Sequence, residues 1–283
     1  MKSTIIIFTA IFFSGFLNLQ VHAQSISAEK LWSTADILTT SESVCYNPDG
    51  PFFYVSCING NPLEKDDNGF IAIVDLTGEI ITQKWATGLN APKGMGILNN
   101  SLYVTDIDRL VEISLETGKI TRTYPVEGAK FLNDIAVSKN GNVFFSDMST
   151  NKIHKLEKGI VSTWLEDESL VNPNGLYCEE KELLIGTKNG IYSVRYDDKR
   201  IWHLIADTGG IDGLEADGNG NYLISDWMGK VQLVSAENEP IVLFNTSENG
   251  INAADIEYVM DKNLLLVPTF GDNRVTAYRI IYN

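Results

Sequence analysis

The sequence predicts an all-β fold, a six-bladed β-propeller, and three observations lead to that prediction. A pattern of about 40 residues occurs six times, in blocks that span roughly 43–88, 89–128, 129–167, 168–207, 208–247 and 248–283. Each block consists of short apolar stretches separated by turn residues, as strands joined by hairpins are. No stretch after residue 23 has a helical period. Four antiparallel strands in each of six repeats are typical of a propeller.

The third block shows the pattern most clearly. Its first two apolar stretches flank the turn Ser138-Lys139-Asn140-Gly141, and Lys158-Gly159 separates its last two. Both turns have the composition that tight β-turns require. The predicted strands span 134–137, 142–147, 152–157 and 160–165.

The sequence predicts how the ring of blades closes. The last block ends at its third strand, residues 274–282, and lacks a fourth. Residues 28–35, AEKLWSTA, resemble the aromatic outer strand of the other blocks. We therefore expect this N-terminal strand to complete the last blade, which leaves no open sheet edge around the ring. One outer aromatic per repeat should pack between blades: Trp32, Trp85, Tyr124, Trp164, Trp202 and Phe244.

The N-terminus has the features of a secretory signal peptide. Lys2 precedes an apolar run from Ile5 to Leu17, and Val21-His22-Ala23 resembles a small-residue cleavage site. The predicted division is a signal peptide at 1–23 and one propeller domain at 24–283, without a membrane span after cleavage. We expect an exported protein, periplasmic or secreted, and a monomer.

The net charge and the spacing of the cysteines limit the kinds of partner and metal site that the protein can have. The formal net charge of −15 argues against nucleic acid and anionic membranes as partners and is compatible with cations and a small ligand. Cys45, Cys57 and Cys178 match no zinc or redox spacing. They are interpreted as buried small residues, with one disulfide as the alternative that export permits.

A column of polar residues begins the first strand of the blocks, eight to ten residues after each outer aromatic: Glu42, Lys93, Asn133, Asn174 and Asp212, with Ala254 in the sixth position. The first strand of a propeller blade lies innermost, so these side chains should meet at one mouth of the central channel. Asn and Asp are also common turn residues, which is the plainer explanation for any one of them. That explanation fits Glu42 poorly and the whole set worse.

Glu42, Asn133, Asn174 and Asp212 together predict one divalent metal ion. Two carboxylates and two amide carbonyls are hard oxygen ligands, which suit Ca²⁺ best, with Mg²⁺, Mn²⁺ and Zn²⁺ as alternatives. Zinc is less favoured because His154 and His203 lie outside the column. The link at 58–69, INGNPLEKDDNG, is long and charged and should form a lid or wall at this mouth; the alternative is a surface loop without a role.

The motifs SES around Glu42, LND at Asn133, PNG at Asn174 and IDG at Asp212 resemble the senescence-marker-protein/gluconolactonase/regucalcin family over the whole mature chain. The resemblance implies a six-bladed propeller that hydrolyses sugar lactones with one divalent metal. Glu42, Asn174 and Asp212 would be metal ligands, and Asn133 would contact the substrate and the metal. Paraoxonase-type calcium propellers have similar motifs in the same order.

Two positions depart from that family. Phe131 occupies the position of its sugar-binding arginine, two residues before Asn133, so a key donor to a polyhydroxylated lactone is missing. Lys93 has three open interpretations: it binds a substrate carboxylate, donates to a developing oxyanion, or pairs with Glu42 and displaces the metal. Asp255, next to Ala254, is a further candidate for substrate contact.

The functional hypothesis is a metal-dependent hydrolase that opens a small lactone, simpler or more acidic than gluconolactone. Asp212 or Glu42 would act as the catalytic base, and Lys93 or Asn133 would donate to the oxyanion. Generic NHL-type repeats such as YVTDIDRLVEI support an alternative, a non-catalytic propeller that binds a ligand or protein partner. A strictosidine-synthase-like condensation is a third hypothesis.

Overall fold

The structure, a computed structural model, describes residues 26–282. It contains six antiparallel four-stranded sheets, so the predicted six-bladed propeller is confirmed. No α-helix occurs among these residues; two single-turn 3-10 helices span Ser247–Asn249 and Met260–Lys262. The signal peptide predicted at 1–23 lies outside the described residues. Within 26–282, no helix is both long and apolar enough to cross a bilayer.

Each blade is formed from consecutive strands, except the sixth. Blade 1 has β2 (Ser41–Tyr46), β3 (Phe52–Cys57), β4 (Gly69–Asp75) and β5 (Ile80–Leu89). Blade 2 has β6 (Pro92–Leu98), β7 (Ser101–Asp106), β8 (Arg109–Ser114) and β9 (Ile120–Pro125). Blade 3 has β10 (Leu132–Val137), β11 (Val143–Asp147), β12 (Lys152–Glu157) and β13 (Ile160–Glu166).

The remaining blades follow the same order along the chain. Blade 4 has β14 (Leu176–Cys178), β15 (Glu182–Thr187), β16 (Gly190–Arg195) and β17 (Ile201–Ala206). Blade 5 has β18 (Leu214–Ala216), β19 (Tyr222–Asp226), β20 (Lys230–Val234) and β21 (Ile241–Asn245). Blade 6 has β22 (Glu257–Val259), β23 (Leu264–Pro268), β24 (Val275–Tyr282) and β1 (Ile26–Ser33).

The N-terminal strand closes the ring as predicted. β1 pairs antiparallel with β24 from Ile26 opposite Tyr282 to Ser33 opposite Thr276. Its bounds are two residues earlier than the sequence pattern indicated. A second connection joins the first and last blades near the channel, where the Asp255 amide donates to the Glu42 carbonyl oxygen at 3.0 Å.

Six apolar clusters lie between successive blades and form the core. One joins blades 1 and 6 through Phe53 and Leu266, and the others each join two consecutive blades. Five of the six outer aromatics belong to these clusters or pack against them: Trp32, Trp85, Tyr124, Trp164 and Phe244. Trp202 is half-buried and lies outside them. The packing interpretation is therefore confirmed for five of the six positions.

The three cysteines are free thiols, and the geometry of blade 1 excludes the disulfide alternative. Cys45 faces the cluster between blades 1 and 2, whereas Cys57 faces the cluster between blades 6 and 1. Their side chains therefore lie on opposite faces of one sheet. Cys178 is half-buried on blade 4.

Removing residues 26–36 should cause aggregation, because β24 would then present an unpaired edge. We expect the truncated protein to elute as large species in size-exclusion chromatography, whereas the full chain elutes as a discrete species. A truncated chain that stays soluble, with the melting temperature of the full chain, would contradict the importance of this closure.

Candidate functional site

A cavity of about 490 Å³ lies at one mouth of the channel. Five of the six positions of the polar column line it: Glu42, Lys93, Asn133, Asn174 and Asp212. Phe131 also lines the cavity, whereas Ala254 and Asp255 do not. A cavity of this size is in the range that holds a small organic ligand.

Irregular strand beginnings direct the column residues into this cavity. The strand pairing shifts register between Ser41 and Ser43, between Pro92 and Met95, and between Leu132 and Ile135. These β-bulges contain Glu42, Lys93 and Asn133, respectively. A bulge turns a side chain away from the regular alternation of a strand. Asn174 and Asp212 precede the short strands β14 and β18, so their side chains also lie outside the regular strand alternation and point into the cavity.

Buried hydroxyl groups satisfy the backbone amides next to these positions. Ser56 accepts from the Ser43 amide at 2.9 Å, Ser146 from the Asp134 amide at 3.0 Å, and Ser225 from the Gly213 amide at 2.8 Å. Each amide belongs to the residue after a column residue. Sequence reasoning missed these supports, although a serine recurs at the same place near the end of the second strand in YVSC, FFSD and LISD.

Three buried oxygen atoms at the cavity have no hydrogen-bond partner: Glu42 Oε2, Asn133 Oδ1 and Asn174 Oδ1. Their side chains are only 4–7% exposed. Asn174 Nδ2 donates to Asp212 Oδ1 at 2.7 Å, which leaves the Asn174 carbonyl oxygen free. Most buried polar atoms in proteins are paired, so three unpaired acceptors at one cavity suggest that a donor or cation belongs there.

The chemistry of these donors fits a hard cation. Carboxylate and amide oxygens are the ligands of Ca²⁺ and Mg²⁺, whereas Zn²⁺ favours nitrogen and sulfur. No group of three or more His, Cys, Asp or Glu side chains within residues 26–282 is arranged to hold a metal ion. A cation at this cavity would therefore depend on the amide oxygens of Asn133 and Asn174 as well as on two carboxylates.

Burial changes the acidity of both carboxyls. Desolvation, with a contribution from Asp212, raises the pKa of Glu42 well above its usual range, and Lys93 opposes this effect. Burial likewise raises the pKa of Asp212 to about 7, against the hydrogen bond from Asn174. A carboxyl group with a pKa near neutrality has the acidity that general acid–base catalysis requires at neutral pH.

The Lys93 side chain forms hydrogen bonds within the protein. Its ammonium donates to the carbonyl oxygens of Pro62 and Ala91 at 3.1 and 3.0 Å and lies 4.6 Å from the centre of the Phe131 ring. None of the ion pairs among residues 26–282 joins Lys93 to Glu42. The side chain is 1% exposed, and burial lowers its pKa. The sequence did not predict these contacts of Lys93 with the protein.

The link at 58–68 forms a wall of the cavity, as its length suggested. Ile58 and Pro62 line the cavity, and the bond from Lys93 to the Pro62 carbonyl oxygen fixes the link at this point. Lys65 adds an ion pair with Asp108 at 2.5 Å on the outer side. Both of these side chains are exposed, so this pair contributes little to stability.

Asp255 lies buried below the cavity lining, beside a second acidic residue. It is 6% exposed and accepts from the Ser43 hydroxyl at 2.6 Å. Burial and the neighbouring Asp134 raise the pKa of Asp255 well above its usual range. Burial also raises the pKa of Asp134 to about 7, although its oxygens accept the amides of Ile135 and Leu176 at 2.6 and 2.5 Å.

The cavity includes residues that sequence reasoning missed. They end or follow the second strand of their blades or precede a column position, and they include Met148, Asn172, Lys188, Ile211, Asp226, Trp227 and Phe270. The positions after the second strands carry a signal in the sequence, because that link lies at the same mouth as the polar column.

Comparisons with known proteins were made for sequence and for fold. No protein-family model matches the chain, and no curated protein is significantly similar to it in sequence. By contrast, 1257 chains in solved structures match significantly. The fold is therefore common, and by itself it does not select a function.

The matching structures include enzymes of different kinds. A protein assigned provisionally as a gluconolactonase is 15% identical and covers 91% of this chain and 93% of its own, with a TM-score of 0.63. A catalytically inactive histidine-to-alanine variant of virginiamycin B lyase from Staphylococcus aureus, with quinupristin, is 14% identical to this chain. The match covers 91% of this chain and 100% of the lyase, with a TM-score of 0.63. A streptogramin B lyase is 13% identical, and the match covers 91% of this chain and 98% of the lyase, with a TM-score of 0.64. At these identities, the likeness shows the fold alone.

The melting temperature of the metal-free protein should fall between pH 5 and pH 8. Asp134 has a pKa of about 7 in the folded protein, against about 3.9 in unfolded chains. The folded state therefore binds more protons than the unfolded state between these values, so its stability is greatest at low pH and decreases as pH rises. We expect a decrease of at least about 2–4 °C, the change that about 1 kcal/mol produces in a chain of this size.

Asp255→Asn is the matched control for this measurement by differential scanning calorimetry. It removes one titrating carboxyl beside Asp134 while keeping the side-chain shape, so the melting temperature should depend less on pH. A melting temperature that rises with pH, or an unchanged slope in the variant, would contradict the assignment of raised pKa values to these buried groups.

Proposed function

We propose that this protein is a metal-dependent hydrolase that opens a small lactone in the channel cavity. The observation that carries the proposal is the set of three buried, unpartnered oxygens of Glu42, Asn133 and Asn174 beside the Asp212 carboxylate. Glu42, Asn133, Asn174 and Asp212 would hold the ion, with Ca²⁺ favoured. When bound, such an ion supplies Lewis-acid polarisation of a carbonyl group and lowers the pKa of water at the site.

Asp212 is proposed as the base. Its Oδ1 is held by Asn174 Nδ2, and Oδ2 accepts no hydrogen bond from the residues that the structure describes. Oδ2 would take a proton from the attacking water as the water oxygen bonds to the lactone carbonyl carbon. When the ring C–O bond breaks, the leaving ring oxygen takes that proton, and the product is the open hydroxy acid. Glu42 is the alternative base.

Asn133 is the proposed donor to the oxygen of the carbonyl group. Its Nδ2 makes no hydrogen bond within residues 26–282, and the residue lines the cavity. Lys93 is a weaker candidate for this role because two of its three N–H groups already donate to Pro62 and Ala91 and its ammonium lies over the Phe131 ring. The positive charge of Lys93 would still repel a cation nearby. The affinity of the site for a metal ion therefore depends on this charge.

A histidine-dependent reaction has less support. In virginiamycin B lyase, a histidine-to-alanine variant is catalytically inactive. Neither His154 nor His203 lines the cavity in this protein. His154 lies in the core beside Phe145, and His203 stacks on Tyr192 in the outer part of blade 4. We therefore favour carboxylate-assisted hydrolysis over a lyase reaction that uses histidine.

Asp212→Asn should abolish divalent-ion binding and strongly reduce lactone hydrolysis while preserving the fold. Ca²⁺ at a hundredfold excess over its Kd should stabilise the wild type by about 2.7 kcal/mol and the variant hardly at all. Loss of the base should lower kcat by about 10²–10⁴-fold. Calorimetric titration of chelator-treated protein and acid release from a panel of lactones measure the two effects.

Asp197→Asn serves as the control, since Asp197 is an exposed carboxylate in the outer part of blade 4 and pairs with Arg195. It should leave both readouts unchanged. If the wild type binds neither Ca²⁺, Mg²⁺ nor Mn²⁺ at millimolar concentration, the proposed site is wrong. If an ion binds and no lactone is hydrolysed, the result favours a non-catalytic propeller of the NHL type that binds a ligand.

A further inference from the structure

The residues that follow the second strands form an apolar wall above the polar floor. Blades 1, 3, 4, 5 and 6 contribute one such residue each: Ile58, Met148, Lys188, Trp227 and Phe270. Four of these five side chains are apolar. Phe131 and Ile211, which precede column positions, extend the same surface. We call this set, without Lys188, the apolar wall.

The floor is buried, whereas the wall extends from the buried Ile58 and Ile211 to the exposed Trp227. The side chains of Glu42 and Asp212 on the floor are 4% and 6% exposed, whereas Trp227 in the wall is 46% exposed. A ligand that enters the cavity therefore meets Trp227 before it reaches the floor. Its reacting group would reach the polar oxygens, and the remainder would lie against apolar side chains.

Trp227 is the largest side chain of the wall, and its surroundings hold it in place. Its ring meets the ring of Phe270 edge to face, with 5.5 Å between centroids. Asn252 Nδ2 donates to its backbone oxygen at 2.9 Å. A large exposed aromatic that is fixed by its neighbours can gain contact area with a ligand at a small cost in entropy.

The apolar wall offers few partners for a polyhydroxylated ligand, and the polar part of the outer lining consists of Asn172, Lys188 and Asp226. Hydroxyl groups that leave water for an apolar surface lose hydrogen bonds, and each unpaired group costs binding free energy. Lys93, the buried cation nearest Phe131, donates to Pro62 and Ala91 instead. With two of its three N–H groups used in this way, Lys93 keeps one for a carboxylate on the substrate.

We propose that the substrate carries a bulky apolar group on its lactone ring, an alkyl chain of several carbons at the carbon that bears the ring oxygen, and that Trp227 selects it. The proposal rests on the proposed function and specifies its substrate class. Burial of each methylene contributes about 0.8 kcal/mol, which corresponds to about fourfold in kcat/KM. The gain should continue until the chain fills the apolar wall.

Hydrolysis of three γ-lactones of increasing chain length tests this proposal directly. With γ-butyrolactone, γ-hexalactone and γ-nonalactone, kcat/KM should rise about fourfold for each added methylene that is buried, and glucono-δ-lactone should be a poor substrate. In Trp227→Ala, the ratio of γ-nonalactone to γ-butyrolactone should fall at least about tenfold, the equivalent of about two methylenes. Trp227→Phe should retain part of the ratio.

Met228→Ala is the matched control. Met228 is the next residue and is 60% exposed, but it does not line the cavity. Its substitution should leave the ratio between the two lactones unchanged. An equal loss in both variants would indicate a general disturbance of this link and would overturn the role of Trp227.

Binding of unreactive lactams separates this proposal from the proposed hydrolysis. 5-Pentylpyrrolidin-2-one should bind at least about tenfold more tightly than pyrrolidin-2-one, with a more negative heat-capacity change, which is the sign of apolar burial. If no lactone is hydrolysed but this preference is present and lost in Trp227→Ala, the hydrolase proposal fails and the apolar selection stands. If the two lactams bind equally, or glucono-δ-lactone is the best substrate, the apolar selection is wrong.

Discussion

Three buried oxygen atoms at the channel cavity lack a hydrogen-bond partner, and the proposed metal site follows from them. Burying a carboxylate oxygen of Glu42 and the amide oxygens of Asn133 and Asn174 without a donor costs free energy. The cost is higher if Glu42 is charged, and its raised pKa reflects that cost. A hard cation would satisfy all three atoms at once, because it interacts favourably with carboxylates and with amide carbonyls alike. The same arrangement would polarise a lactone carbonyl for attack.

The fold creates this constraint through the beginnings of its innermost strands. Closure by β1 and six inter-blade cores hold those strands around one channel. Bulges then direct Glu42 and Asn133 inward, and buried serines pair with the amides next to them. Since Ser56 and Ser146 sit on the second strands, the packing of each blade supports the position of its channel residue. Stability and the candidate site therefore share the same hydrogen bonds.

Much of the fold was predictable from the sequence, because the repeat period and the turn residues report strand order directly. The polar column was predictable as well, since one position in each repeat must meet the others at the channel. Side-chain contacts were less accessible. Lys93 lines the cavity, but the sequence did not indicate that its long side chain also reaches the carbonyl oxygen of Pro62, in a link whose path no repeat specifies. Asp255 adjoins a column position, yet it points to Ser43 and Asp134 below the cavity lining. Trp227 and Phe270 were missed because links differ in length between blades.

A crystal structure with Mn²⁺, collected at a wavelength where manganese scatters anomalously, tests the central claim most directly. We expect one anomalous peak at the channel cavity, with Glu42 Oε2, Asn133 Oδ1, Asn174 Oδ1 and Asp212 as its protein ligands and oxygen distances of about 2.0–2.6 Å, as hard cations show. The Lys93 ammonium should remain on Pro62 and Ala91. A cavity without an anomalous peak, in which the Lys93 ammonium or a water donates to those oxygens, would contradict the account.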